Sequence, residues 1–281
     1  MLIPPSLLFI LFGILTETSI GSLFLAGVLP GIILSIAYCA LIIGWAKWRP
    51  AHLRGGHATG EALMPFTELM RRILPITALI ALVLGGLYGG FVTATEAGAV
   101  ACAGALAIAL MKRTLTLRSF WTLMLQTGAI TTALLVLIIS ANLYSRMLAL
   151  TGLPMQLGEW FQTLGLGVHS MLMIFIGILI ALGCIMDSAS ILFLTIPLVL
   201  PVFNALGVDL VWLGVITIIT VEIGLLTPPF GMAAFVVKQT LDDKSITLTD
   251  IFIGSAPFAL TMFGVVLLIV AFPWLATGLV R

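Results

Sequence analysis

The sequence predicts an all-α polytopic membrane protein that contains broken helices. Hydrophobic residues make up 61% of its 281 residues and charged residues only 8%, and the mean hydropathy is +1.27. Soluble domains carry about 25% charged residues, so this composition cannot cover a water-exposed surface. Two Pro-Pro pairs, Pro4-Pro5 and Pro228-Pro229, interrupt apolar stretches that would otherwise be spanning helices.

The two Pro-Pro units look like copies of one another. A short polar loop and a similar helix follow each pair, and Gly27 and Pro30 match Gly254 and Pro257 in register. Repeated broken helices in a membrane protein are typical of secondary transporters. Because the first copy starts at the beginning of the chain, we expect most of the first repeat to be absent. The chain then corresponds to the C-terminal two-thirds of a larger unit.

Charge and cysteine usage exclude several classes of partner and cofactor. The net charge of +1 argues against a nucleic-acid partner, which would need a basic face. Cys39, Cys102 and Cys184 show neither metal nor disulfide spacing. We therefore predict no metal cofactor held by cysteine.

Thr93 and Glu96 fit a capping box at the start of a helix, which indicates a structural role.

The apolar stretches predict a series of helices, since a spanning helix needs about 20 apolar residues. We predict helices at 5–16 (the remainder of a broken one), 22–46, 73–92, 96–112 and 119–147, short segments at 170–184 and 189–203, a broken span at 209–238 and a last helix at 250–277. Residues 1–46 would be the remainder of the first repeat. Residues 47–72 would be a cytoplasmic loop, and 73–281 the second repeat.

The distribution of Lys and Arg predicts the orientation. Loops 47–72 and 112–118 carry Lys47, Arg49, Arg54, Arg71, Arg72, Lys112, Arg113 and Arg118, whereas loop 150–168 carries neither residue type. The positive-inside rule places the first two loops in the cytoplasm and the third outside. Along the chain, the two Pro-Pro units then cross in opposite directions, which is an inverted-topology repeat.

Segments 170–184 and 189–203 predict a re-entrant hairpin spanning 170–203. Each is about 15 residues long and would reach only ~22 Å, short of a ~30 Å hydrocarbon core. The polar stretch 183–190 lies between them and contains Asp187, which is costly at bilayer depth and so indicates function. The alternative is one ordinary helix of about 30 residues with a polar kink.

The hairpin tip combines features that suit an anion and a hard cation. Ser188 and Ser190 open the second arm, where helix N–H groups can bind a substrate carboxylate, so we assign both to substrate binding. Free carbonyls near Gly183 and the carboxylate of Asp187 suit Na⁺. The alternative is that Asp187 or Ser188 only caps a buried helix.

The second Pro-Pro pair predicts a site in the span 209–238. Its prolines remove two N–H donors and free the carbonyls from Gly224 to Thr227. In lipid such backbone persists only where it is buried or lines a cavity. We assign Gly224 and Thr227 to Na⁺ and Pro228 to the substrate. The alternative is that the Pro-Pro pair only kinks the helix and forms no site. Glu222, in the same span, is either a coupling carboxylate or simply paired with a polar neighbour.

Several stretches carry a family resemblance: Ile3-Pro4-Pro5-Ser6, residues 13–21, residues 88–97, residues 183–187 and residues 224–231. Together they resemble the large membrane subunit, DctM type, of tripartite ATP-independent periplasmic (TRAP) transporters, over the whole chain. The resemblance implies an elevator-type fold with inverted repeats, in which helices 73–147 belong to a scaffold. It also implies Na⁺-coupled import of an organic acid of the C4-dicarboxylate or sugar-acid class.

The resemblance further implies partners and a location. A periplasmic substrate-binding protein would deliver the organic acid, and a small DctQ-type membrane subunit would accompany the chain in the bacterial inner membrane. Na⁺ would be the coupling ion, with no other cofactor. Ala94 stands where the family usually has Pro. The family's first hairpin has no counterpart here, so Ser6 would be half of a second Na⁺ site.

Other functions remain as alternatives. A standalone Na⁺/dicarboxylate symporter or an antiporter shares the hairpin, and an inactive fragment is a third possibility. An intramembrane aspartyl protease would need two apposed carboxylates. Besides Asp187, only Glu222 is expected at mid-depth. We therefore predict that the chain is not an enzyme.

Overall fold

The computed structural model describes residues 2–48, 65–163, 165, 167–241 and 245–280, and the regular secondary structure within them is entirely α-helical. This confirms the all-α prediction. The helices are α1 (Leu7–Thr16), α2 (Ile20–Trp48), α3 (Phe66–Tyr88), α4 (Ala94–Met111), α5 (Leu117–Thr151), α6 (Leu153–Thr163), α7 (Val168–Gly183), α8 (Ser188–Ala205), α9 (Leu210–Leu226), α10 (Met232–Thr240), α11 (Leu248–Ala271) and α12 (Trp274–Thr277).

Six helices of the described residues are long and apolar enough to cross a membrane: α2, α3, α4, α5, α8 and α11. The apolar helices α1, α7 and α9 are shorter, at 10, 16 and 17 residues. Helices of that length reach only part of the way across a ~30 Å core unless another element extends them. The chain is therefore a multi-pass membrane protein that combines full-length and short helices.

The chain divides into two compact units, one of residues 1–42 and 135–281 and one of residues 43–134. In the second unit α3 packs against α4. Gly104 of α4 makes this approach possible, because a Cβ there would lie 2.6 Å from Cδ1 of Leu79. Small residues let membrane helices pack closely in this way.

Helix α9 is the centre of the first unit and packs against α7, α11 and α1. Residues on all of its sides are buried: Trp212, Leu213, Gly214, Val215, Ile216, Thr217, Ile218, Ile219, Thr220, Val221, Ile223, Gly224 and Leu225. A helix that is apolar all round is expected to be buried. The indole Nε1 of Trp212 donates a hydrogen bond of 2.9 Å to the carbonyl of Ile269, which ties α9 to α11.

Two separate helices lie where the hairpin is predicted, and the re-entrant course of the chain stays a prediction. Helix α7 ends at Gly183, and Asp187 is extended with φ −74° and ψ 158° before α8 starts at Ser188. The two helices contact each other. Helix α8 begins one residue earlier and ends two residues later than predicted, and Pro197 and Pro201 lie inside it. Neighbouring helices compensate for such prolines in membrane spans.

The predicted break in the last broken span is also present. Helix α9 ends at Leu226, Thr227 is extended with φ −98° and ψ 136°, and α10 begins at Met232. The bonds Pro4-Pro5 and Pro228-Pro229 are both cis. Gly231 has φ 38°, and a Cβ there would lie 2.6 Å from Cε1 of Phe252. A left-handed, crowded position of this kind requires glycine.

Helix α3 and the last predicted helix show the differences from the sequence prediction that matter most for the orientation and the chain end. Helix α3 begins at Phe66, inside the predicted loop 47–72, so Arg71 and Arg72 lie on a helix. Residues 49–64 of that loop, with Arg49 and Arg54, lie outside the described residues. The predicted last helix 250–277 is two helices, since α11 ends at Ala271 and Pro273 precedes α12. Proline cannot continue an α-helix because it lacks the N–H group.

The capping box predicted at the start of α4 is confirmed. The backbone N–H of Thr93 donates to Oε2 of Glu96 at 2.7 Å, and the N–H of Glu96 donates to Oγ1 of Thr93 at 3.3 Å. A second capping box, which the sequence analysis missed, joins Thr247 and Asp250 at the start of α11. Its Thr-x-x-Asp spacing was the available signal.

Candidate functional site

The end of α7 lies directly against the end of α9. A Cβ added at Gly183 would be only 2.6 Å from Cα of Gly224, and a Cβ at Gly224 would be 2.6 Å from Cα of Gly183. The N–H of Gly231 donates a 3.1 Å hydrogen bond to the carbonyl of Cys184. The tip of the hairpin and the Pro-Pro break are therefore joined backbone to backbone. We call this junction, residues 183–187 and 224–231, the tip–break contact.

The break leaves several carbonyls without their usual helical donors. Pro228 and Pro229 have no N–H, so Gly224 and Leu225 lose the donor four residues ahead. Thr227 replaces one of these bonds, since its N–H donates to the carbonyl of Gly224 at 3.0 Å. Its Oγ1 donates to the carbonyl of Ile223 at 2.7 Å, which leaves the hydroxyl oxygen able to accept or to bind a cation.

Asp187 caps α8, which is the role given to it by the alternative interpretation of the hairpin tip. Its Oδ2 accepts hydrogen bonds from the N–H groups of Ala189 and Ser190, each at 3.1 Å, and its Oδ1 accepts from Oγ of Ser190. A carboxylate has about four acceptor positions, so these bonds leave about one for another ligand. Asp187 is exposed, and that remaining position is therefore accessible.

The two serines assigned to the substrate have different surroundings. Ser188 is buried, with 9% of its surface exposed. The hydroxyl of Ser190 donates its only proton to Asp187 and cannot donate to a substrate carboxylate at the same time. The N–H groups of Ala189 and Ser190 also bond to Asp187. An anion that binds to these two N–H groups must therefore displace part of the cap.

Pro228 lines a cavity of about 320 Å³ beside the break. The cavity wall comes from α7, α9 and α11 and consists of Ile180, Ile223, Leu226, Thr227, Pro228, Phe252, Ala256, Ala259, Leu260 and Phe263. None of these lining residues carries a charge, and neither Ser188 nor Ser190 is among them. The structure thus places Thr227 and Pro228 together but does not place the two serines in the same cavity.

Ser6 lies at the corresponding position of the first Pro-Pro unit. It is buried, with 2% of its surface exposed, and its Oγ accepts a hydrogen bond of 3.5 Å from the N–H of Phe9. It therefore caps α1, which packs against α8 and α9. This hydrogen bond stays within one helix, so Ser6 is connected with the tip–break contact only through helix packing.

Glu222 occupies a separate cavity of about 210 Å³, which it shares with Tyr38 of α2. Its Oε1 is buried and has no hydrogen-bond partner among the described residues. Asp187 does not line this cavity, so the two acids are not brought together as a protease would need. Tyr38 was not predicted from the sequence, in which a lone polar side chain within an apolar span was the only signal.

Comparison with known proteins gives one family and several relatives. The sequence model of the family described as "Tripartite ATP-independent periplasmic transporter, DctM component" matches residues 1–275. The sialic acid TRAP transporter large permease protein SiaM of Vibrio cholerae is 32% identical over 276 residues, which cover 97% of this chain and 62% of that protein.

Other relatives carry different substrate names. The C4-dicarboxylate TRAP transporter large permease protein DctM of Pseudomonas aeruginosa is 33% identical over 238 residues, which cover 84% of this chain and 54% of that protein. The 2,3-diketo-L-gulonate TRAP transporter large permease protein YiaN of Escherichia coli is 29% identical over 281 residues, which cover 97% of this chain and 63% of that protein. The chain thus spans less than two-thirds of the length of these relatives.

Proposed function

The chain belongs to the DctM component family of tripartite ATP-independent periplasmic transporters, and from that premise we propose that it acts in Na⁺-coupled import of an organic acid. The observation that carries this proposal is the tip–break contact, where Gly183 and Gly224 meet. The relatives are named as permeases for sialic acid, C4-dicarboxylates and 2,3-diketo-L-gulonate, which are all organic acids. The family match and the six apolar helices support a multi-pass protein of the inner membrane with a role in transport, and we propose no enzymatic activity for it.

The coupling ion in this proposal binds at the tip–break contact. Na⁺ prefers oxygen ligands, and carbonyls of unwound backbone are a common source of them in transporters. The carbonyls of Gly183 and Gly224, the hydroxyl oxygen of Thr227 and the remaining acceptor position of Asp187 would supply those oxygens. Ser6 would belong to a second site of the same kind. The carbonyls exposed by the Pro-Pro break support this assignment.

The organic acid in this proposal binds next to the ion. Its apolar part would occupy the cavity of about 320 Å³ beside Pro228. Its carboxylate would face the start of α8, near Ser188 and Ser190, where helix N–H groups favour an anion. Because those N–H groups bond to Asp187 in this conformation, substrate binding would loosen the cap. A bound Na⁺ would attract the same carboxylate and so favour joint binding of ion and acid.

The hairpin and the break would then move together across the membrane. The Gly231–Cys184 hydrogen bond and the Gly183–Gly224 approach join the two elements through backbone atoms. Such a junction transmits motion, because packed backbone has little room to yield. This matches an elevator-type cycle, in which one part of the protein carries ion and acid past another.

A small membrane subunit and a soluble periplasmic binding protein complete the proposed transporter. We expect uptake of the organic acid by cells that express the chain from its complete gene with both partners. Omitting the binding protein should reduce the initial uptake rate to the background of cells without the permease, because the acid reaches the permease only through that protein. Radiolabelled sialic acid and C4-dicarboxylates are suitable first substrates, with uptake measured over the first minute.

The control is the same strain with the binding protein supplied again from a plasmid, which should restore uptake. Equal uptake with and without the binding protein would contradict the three-part arrangement. It would favour the standalone Na⁺/dicarboxylate symporter instead.

A further inference from the structure

A basic cavity lies at one end of the pair α3 and α4. It has a volume of about 570 Å³ and is lined by Pro65, Thr67, Glu68, Arg71, Arg72 and Lys112. All of these residues belong to the unit of residues 43–134, and all are exposed. We call them the basic cavity. The positive-inside rule places this end of both helices in the cytoplasm.

The charges of the basic cavity favour an anion. Its single carboxylate, Glu68, is already paired with Arg72, since Oε1 of Glu68 lies 2.6 Å from a guanidinium nitrogen of Arg72. Within the described part of the chain this is the only ion pair, which leaves Arg71 and Lys112 available. With Glu68 engaged, the cavity offers no acid for the ammonium group of a zwitterionic lipid. An anion carrying a phosphate is the ligand that suits this arrangement best.

The surface just beyond the basic cavity is apolar and exposed. On α3, Ile73 and Leu74 follow Arg72 directly and are 43% and 66% exposed. On α4, Leu110 and Met111 directly precede Lys112 and are 57% and 84% exposed. Both helices are long and apolar enough to span a membrane. The cations therefore lie where an apolar helix surface meets its polar end, which is the depth of lipid head groups.

We propose that the basic cavity binds the phosphate of an anionic phospholipid, with phosphatidylglycerol as the simplest example. Arg71 and Lys112 hold the head group beside the Arg72–Glu68 pair, and the acyl chains lie along the exposed apolar residues of α3 and α4. Basic pockets between spanning helices on the cytoplasmic side bind anionic head groups in this way. A free inorganic phosphate shares the cations but gains nothing from the apolar surface. The proposal does not depend on the transported substrate.

Lipid binding to the purified full chain tests the proposal. Native mass spectrometry measures the binding of added phosphatidylglycerol, of phosphatidylcholine and, in a separate arm, of inorganic phosphate. We expect phosphatidylglycerol to bind well above phosphatidylcholine and a large excess of phosphate not to displace it. The double variant Arg71→Gln/Lys112→Gln should weaken phosphatidylglycerol binding by about 25-fold, because each basic side chain near the membrane contributes about a factor of five.

Two control variants distinguish lipid binding at the basic cavity from a general effect of positive charge. Arg118→Gln removes one cation from the same predicted side of the membrane and should leave phosphatidylglycerol binding unchanged. Arg118 lines a different cavity, together with Thr116, Ser119, Thr122 and Leu123. Arg71→Lys/Lys112→Arg keeps the charges and should retain binding. Equal affinity for both lipids, equal losses in Arg118→Gln and the double Gln variant, or displacement by inorganic phosphate would each overturn the proposal.

Discussion

Replacing Gly183 by alanine is expected to reduce transport roughly tenfold or more while the protein remains in the membrane. The added Cβ would lie 2.6 Å from Cα of Gly224, 3.1 Å from its carbonyl carbon and 3.2 Å from the carbonyl oxygen of Val221. These are backbone atoms, which cannot rotate away as a side chain can. Overpacking of this kind costs about 1–3 kcal/mol. That cost falls on the tip–break contact, so the initial rate of organic-acid uptake is the measurement.

Gly177→Ala is the matched control, because Gly177 lies on the same helix and a Cβ added there would have no atom within 4 Å apart from the adjacent backbone of its own helix. It should transport at the wild-type rate and be present in the membrane at the wild-type level. Gly224→Ala should reproduce the loss, since its Cβ would lie 2.6 Å from Cα of Gly183. Wild-type uptake by Gly183→Ala would show that the close approach of the two glycines is unimportant for transport.

Replacing Thr227 by valine is expected to weaken the apparent affinity for Na⁺ roughly tenfold or more. Valine keeps the shape of the side chain but removes the hydroxyl oxygen proposed as an ion ligand. An interaction between a polar group and a charge contributes about 1.5–3 kcal/mol. The measurement is the Na⁺ concentration that gives half-maximal uptake at saturating organic acid.

Thr261→Val controls for the loss of a hydroxyl in an apolar helix. Oγ1 of Thr261 donates to the carbonyl of Pro257 at 2.8 Å, four residues back, as Oγ1 of Thr227 does to Ile223 at 2.7 Å. Both hydroxyls are partly buried, but Thr261 belongs to neither segment of the tip–break contact and does not line the cavity beside Pro228. Its variant should leave the Na⁺ dependence unchanged. A half-maximal Na⁺ concentration that is unchanged in Thr227→Val would remove Thr227 from the ion site.

Local chemistry made the breaks predictable from the sequence. Pro228 and Pro229 lack N–H groups wherever they occur, so the end of α9 follows from the residue type alone. Asp187 in an apolar stretch likewise indicated the end of one helix and the cap of the next. The start of α3 was missed because Arg71 and Arg72 looked like part of a loop, whereas exposed cations are compatible with the end of a spanning helix.

Tertiary contacts could not be predicted in the same way. Gly183 and Gly224 were both selected for their freed carbonyls, but their close approach depends on how α7 packs against α9. Ser190 donates a hydrogen bond to Asp187, and Ser188 does not line the cavity beside Pro228. Both facts depend on side-chain positions. Tyr38 and Glu222 line the same cavity, although their helices, α2 and α9, are far apart in the sequence. Such pairings arise from packing, for which one sequence contains no local signal.

In the proposed mechanism, a Na⁺ gradient drives organic-acid import through this chain. Its most direct test is uptake into proteoliposomes that contain the protein from its complete gene and its small membrane subunit, with the binding protein and the acid added outside. An inward Na⁺ gradient is compared with an equal K⁺ gradient. We expect accumulation of the acid with Na⁺ and only background uptake with K⁺. Equal accumulation under both gradients would contradict it.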